Sequence, residues 1–135
     1  MPSLHCNPDS REYVPGLPFV QVVELREDGG ELLARGLWHA AAELPTAQIL
    51  ELHVNPAHRR RGHGGRVVER IVGEVTRLNA LRPPALRIRA VWLVLAQVDH
   101  LPARGFLTRH SFHHVATSKH LYLAQDAMMY ARALD

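Results

Sequence analysis

In this 135-residue chain, the stretch best equipped for chemistry is Val54-Asn55-Pro56-Ala57-His58-Arg59-Arg60-Arg61-Gly62-His63-Gly64-Gly65. It joins a run of strand character to a run of helical character. The first amides of a helix lack carbonyl partners within it and carry partial positive charge, so a helix start attracts phosphate. Gly62, Gly64 and Gly65 remove the side chains that would hold a ligand off that backbone. Arg59, Arg60 and Arg61 add guanidinium groups whose geometry suits phosphate. The Gly-Lys-Ser/Thr ending of a Walker loop is missing, as are the spacing and downstream acid of the dinucleotide fingerprint. The segment therefore reads as a phosphate site of another kind. Its plainer alternative is a solvated arginine-rich turn leading into an ordinary helix.

Two further candidates stand just upstream. Alternation along Gln48–Val54 puts Leu50, Leu52 and Val54 on one side of a strand and Ile49, Glu51 and His53 on the other. Glu51 and His53, on the non-core side, could take a proton from a reacting group; equally they could be the wet side of a strand. The chain has ten histidines, but His113 and His114 are neighbours on a strand and point to opposite faces. His110, His113 and His114 have no carboxylate or cysteine at ligand spacing, so no metal site is expected. Cys6, the single cysteine, has no partner for an internal disulfide and fits a reducing, cytoplasmic setting better than a nucleophile's role.

The elements that must position these residues follow from periodicity. Met1–Pro18 carries Pro2, Pro8, Pro15, Gly16 and Pro18 and reads as an extended arm, leaving 19–135 as one domain. Phe19–Arg26, a Glu27-Asp28-Gly29-Gly30 turn and Glu31–His39 form a hairpin. Val67, Val68, Ile71, Val72, Val75 and Leu78 recur at helical spacing from Gly64 to about Leu78, with Arg66, Glu69, Arg70, Glu74 and Arg77 opposite. Leu86–Ala96 reads as a strand covered on both faces, Leu101–Arg109 as a helix capped by Asp99 or His100, and Phe112–Ser118 and Ala127–Leu134 as final strands. The order of three strands, helix, strand, helix and two strands is that of an α/β or α+β sheet with helical crossovers.

Composition narrows the partners. The formal charge is +3, with 47% hydrophobic and 6% aromatic residues, and Lys119 is the only lysine beside fifteen arginines. Positive charge favours anionic partners. A nucleic-acid module using the arginine-rich turn fits poorly, because few aromatics are available for base stacking. The longest apolar run, Ala90–Ala96, is far short of the about 20 residues that span a bilayer, so no membrane partner is expected.

Arg59-x-x-Gly62-x-Gly64, preceded by Leu52-x-Val54-x-Pro56 and followed by an amphipathic helix, resembles the coenzyme A motif of the GNAT family of N-acetyltransferases. Ala103-x-x-Phe106-Leu107-x-Arg109-x-x-Phe112 resembles that family's later helix and the strand after it. The resemblance covers about Phe19–Leu134 and implies a single mixed, mostly antiparallel sheet with flanking helices. It further implies that acetyl-CoA binds through Leu52 and Val54, which would meet the pantetheine arm, and through Arg59, Arg60, Arg61, Gly62, His63, Gly64 and Gly65 at the pyrophosphate. The implied activity is acetyl transfer to a primary amine of a small molecule or protein, with Glu51 or His53 as base. The alternative it leaves is a non-catalytic acyl-CoA-binding sensor or assembly module.

The chain departs from the family's pattern in two respects. Leu107 stands where the family usually has the tyrosine that protonates the departing thiolate, His100 where it often has asparagine, and Ser111 where it usually has glycine. Leucine has no proton to give, so water, Thr108 or His110 would have to serve, or catalysis would be weak. The family also places a strand and two helices before the first hairpin, where this chain has only Met1–Pro18. That shortening implies an acceptor side that is open, supplied by a second subunit as in a homodimer, or shaped for a large substrate.

Overall fold

A computed structural model describes residues 2–6, 20–28, 30–41, 44–59, 61–122 and 125–134. Its strands are β1 (Ser3–Cys6), β2 (Gln21–Arg26), β3 (Leu32–Ala40), β4 (Thr46–Val54), β5 (Ala90–Ala96), β6 (His113–Tyr122) and β7 (Gln125–Ala133). The helices are α1 (His63–Asn79), between β4 and β5, and α2 (Gln97–Arg109), between β5 and β6. The strands form one sheet in the order β1-β2-β3-β4-β5-β7-β6. Only β4 and β5 run parallel, because α1 is a crossover; all other pairs are antiparallel.

The apolar stripe expected on α1 is the face it buries: Val67, Val68, Ile71, Val72 and Val75 lie in the core with Val23, Leu25, Ala34, Trp38 and Ile49. The helix settles onto β3 at Gly36, where an added Cβ would stand 2.7 Å from both Ile71 Cδ1 and Val67 Cγ1. Only a residue without a side chain permits that approach. α2 covers β5 and β7, and Leu107 and Phe112 join the same core.

Several elements differ from the reading of the sequence. Ser3–Cys6, within the arm expected over 1–18, pairs with β2 in the register Ser3↔Arg26 to Cys6↔Val23 and so supplies a strand ahead of the hairpin. The remainder of that arm, 7–18, lies outside the described residues. Pro84–Leu86 is a single 3₁₀ turn, and the strand expected from Leu86 begins only at Ala90. α2 starts at Gln97, four residues before Leu101, directly after β5.

The correction that matters for the site is in β4. Leu37 pairs with Glu51 and Trp38 with Ile49, which leaves Leu50 as the extra residue of a bulge. A bulge reverses the alternation of a strand. Ala47 and Ile49 face the core before it, and Leu52 and Val54 pack against the core after it, opposite Gly36 and Ala34. Leu50, expected with Leu52 and Val54, is instead exposed, and Ile49, expected with Glu51 and His53, is buried. Glu51 and His53 do lie on the face turned away from α1.

Candidate functional site

The bulge begins the site. β4 and β5 pair only from Thr46↔Ala90 to Ile49↔Leu93. Beyond that point the strands part, and no strand pairs with the β5 side of Leu50–Val54 among the described residues. The parting opens a cleft of about 1440 Å³. Its walls are Leu50, Glu51, Leu52 and Val54 of β4, Val94 and Leu95 of β5, the first turn of α1, and the Ala103–His110 side of α2. A strand edge exposed within a cleft offers amide and carbonyl groups to an extended, amide-bearing ligand.

At the end of β4 the chain is pinned before it turns into α1. The Asn55 amide donates to the Leu33 carbonyl, its side-chain nitrogen donates to the Leu32 carbonyl, and its side-chain oxygen accepts from the Ala57 amide. Gly62 then adopts φ 77°, the left-handed conformation that favours glycine, and caps α1 without any side-chain hydrogen bond. The Arg66 amide is the first of the helix to bond back, to the Gly62 carbonyl at 3.1 Å. The preceding amides are left for a ligand, at the positive end of a 17-residue helix.

Of the residues singled out for phosphate, Arg59, Gly62, His63, Gly64 and Gly65 line the cleft. Arg61 does not: its Nη1 donates to His58 Nδ1 at 3.3 Å, while His58 Nε2 reaches Glu31 at 2.8 Å, which ties this arginine toward the β2–β3 hairpin. Arg60 lies outside the described residues. His63 is buried with its Nδ1 lacking a partner among the described residues. Burial, reinforced by the neighbouring His58, Arg61 and Arg66, lowers its pKa below the usual histidine value.

The glycines also serve a purpose that their spacing does not reveal. A Cβ on Gly64 would stand 3.1 Å from Val54 Cγ2, and one on Gly65 only 2.6 Å from His110 Nε2. The start of α1 is thus wedged between β4 and α2. His110 stacks at 4.7 Å on Phe106, and its Nδ1 lies 3.0 Å from Glu69 Oε2. Arg132 of β7 donates to both oxygens of Glu69, at 2.7 and 3.2 Å. These bonds, with that of Arg132 foremost, pull the Glu69 pKa below the usual carboxylate range. Glu69 and Arg132 were not legible as partners, because 63 residues separate them.

On the other wall Glu51 faces the cleft and pairs with Arg35 at 3.1 Å. Both side chains are about two-fifths exposed, so the pair adds little stability and leaves the carboxylate open to solvent. His53 is exposed and does not line the cleft. Leu107 lines it from within the core at 1% exposure. Thr108 is exposed outside the cleft, and His110 lies against Gly65 at the phosphate end. Among the described residues, no hydroxyl or thiol lines the cleft. None of the described residues form a group of three or more histidine, cysteine or acidic side chains able to hold a metal. No helix among them is long and apolar enough to cross a membrane.

No family model matches the sequence, and no curated protein matches it by sequence. Solved structures do match its shape. A "putative acetyltransferase of the GNAT family" from Desulfovibrio desulfuricans superposes with a TM-score of 0.77 over 98% of this chain and 99% of its own, at 14% identity. The IAA acetyltransferase of Bacillus cereus gives 0.77 over 98% and 100%, at 9% identity. Arabidopsis thaliana NAA60, solved in complex with acetyl-CoA, gives 0.76 over 99% of each chain, at 15% identity. The described residues have the GNAT acyl-CoA N-acyltransferase fold, a seven-stranded mixed sheet flanked by two helices.

Proposed function

We propose that this chain binds acetyl-CoA and transfers its acetyl group to a primary amine of a small molecule or a protein. The observation that carries this reading is the parting of β4 and β5 beside a glycine-rich helix start. An unpaired strand edge there leads straight to an anion-binding turn, which suits a ligand with an amide-bearing arm ending in a pyrophosphate. Acetyl-CoA complexes of proteins sharing the fold support the choice of cofactor.

In this reading Leu52 and Val54 hold the arm through their backbone, and the amides preceding Arg66, with Arg59, hold the pyrophosphate. The bound cofactor supplies an acetyl group activated as a thioester. Glu51, in the cleft wall and open to solvent, takes the proton from the incoming ammonium, directly or through water. His53, on the same face of β4 but outside the cleft, is the weaker candidate. Leu107 cannot protonate the departing sulfur, and that proton is left to water.

Isothermal titration with acetyl-CoA and CoA tests the binding, and thiol release over a panel of amines tests the transfer. Saturable binding with thiol release is the expected result; no binding of either ligand at millimolar concentration overturns the reading. Leu107, together with a cleft wall without hydroxyl or thiol among the described residues, favours a second reading, a non-catalytic acyl-CoA-binding module. Tight binding without thiol release from any amine would select it.

A further inference from the structure

Three of the described arginines near the helices are neutralised. Arg70 and Arg77 pair with Glu74, and Arg132 pairs with Glu69. Arg66 and Arg109 are different. Both are exposed, both line the cleft, and neither pairs with a carboxylate among the described residues. Arg66 directly follows Gly65 and Arg109 directly precedes His110, and these two neighbours are in contact, with His110 Nε2 occupying the space of a Gly65 side chain. The Glu69–His110 and Glu69–Arg132 bonds hold that contact in place. Two unneutralised guanidinium groups therefore flank a side-chain contact between the two helices, one from each helix, beside the turn assigned to the pyrophosphate.

An uncompensated pair of this kind calls for a further anion. Coenzyme A carries one outside its pyrophosphate, the phosphate on the 3′ oxygen of its ribose. We propose that Arg66 and Arg109 bind this 3′-phosphate, so that the site distinguishes coenzyme A from 3′-dephospho-coenzyme A. The proposal rests on the coenzyme reading above. Glu69, the carboxylate that could have neutralised Arg66 one helical turn away, is instead committed to Arg132 and His110.

Titration of the full chain with CoA and with 3′-dephospho-CoA decides the matter. The wild-type chain is expected to prefer CoA by about tenfold or more, the effect of charge-assisted contacts to one phosphate. In the Arg66→Ala, Arg109→Ala double variant the preference falls to near unity while affinity for dephospho-CoA stays at the wild-type level, which also shows the variant to be folded. Equal wild-type affinities for the two ligands overturn the assignment and leave the coenzyme reading standing. So does a double variant that loses affinity for both ligands equally. Binding of neither ligand overturns the coenzyme reading, and this proposal with it.

Discussion

Replacing Gly65 with alanine probes the junction on which the cleft depends. The new Cβ would stand 2.6 Å from His110 Nε2 and 2.7 Å from His110 Cε1. An ordinary contact needs about 3.5–4.0 Å, so roughly 1 Å must be found. The ring cannot simply swing away, because Nδ1 is held by Glu69 at 3.0 Å and Glu69 is held twice by Arg132. Overpacking of this kind costs about 1–3 kcal/mol. Alanine regains up to about 1 kcal/mol of helix propensity over glycine, so the net loss is about 0–3 kcal/mol. The larger effect falls on binding. The strain moves the first turn of α1, whose amides are the proposed phosphate donors, and a misplacement approaching 1 Å can cost up to about a hundredfold.

Titration with CoA should show Gly65→Ala weakened by about tenfold or more, with His110→Ala less affected. The double variant should recover most of the affinity lost by Gly65→Ala, because removing the ring frees the space. This coupling is what a double-mutant cycle measures. Unaltered CoA binding in Gly65→Ala would refute the reasoning. Strictly additive losses in the double variant would do so as well, since they would show that the two residues do not share that space.

Three further outcomes follow from single residues. Ser111 sits at φ 66°, a left-handed backbone that costs a non-glycine residue about 1–2 kcal/mol; Ser111→Gly should raise the melting temperature by about 3–10 °C, and a fall would contradict the strain. Glu51→Gln should lower kcat/KM by about 10²–10⁴ while acetyl-CoA affinity stays unchanged; full activity would remove Glu51 from the base's role. Burial lowers the folded pKa of His63 from its usual 6.5, so around that pH the unfolded chain binds more protons than the folded one. Stability therefore rises with pH through this window and is lost as pH falls. Melting curves between about pH 7.5 and about pH 5.5 should show a smaller drop for His63→Leu than for wild type, and equal drops would refute the assignment.

Much was legible in the chain because it is encoded locally. The helical spacing of Val67, Val68, Ile71, Val72 and Val75 marks the buried face of α1, since neighbours three and four residues apart share a face whatever lies beyond them. Asn55, Pro56 and the glycines from Gly62 mark the passage from strand to helix, because turn chemistry acts over a few residues. The glycine-rich turn that starts α1 could therefore be read directly.

What tertiary structure decided is everything that depends on pairing between distant segments. The Leu50 bulge arises from the register against β3, so the alternation of β4 could not reveal that Ile49 faces in and Leu50 out. The cleft exists only because β5 leaves β4 beyond Ile49 and Leu93, and no short stretch of sequence encodes where two parallel strands part. Gly65 read as room for a ligand; in the fold it is also the seat of His110, 45 residues later, fixed by Glu69 and Arg132. Local periodicity specified the parts, and long-range packing and ion pairing determined which of their side chains meet around the cleft.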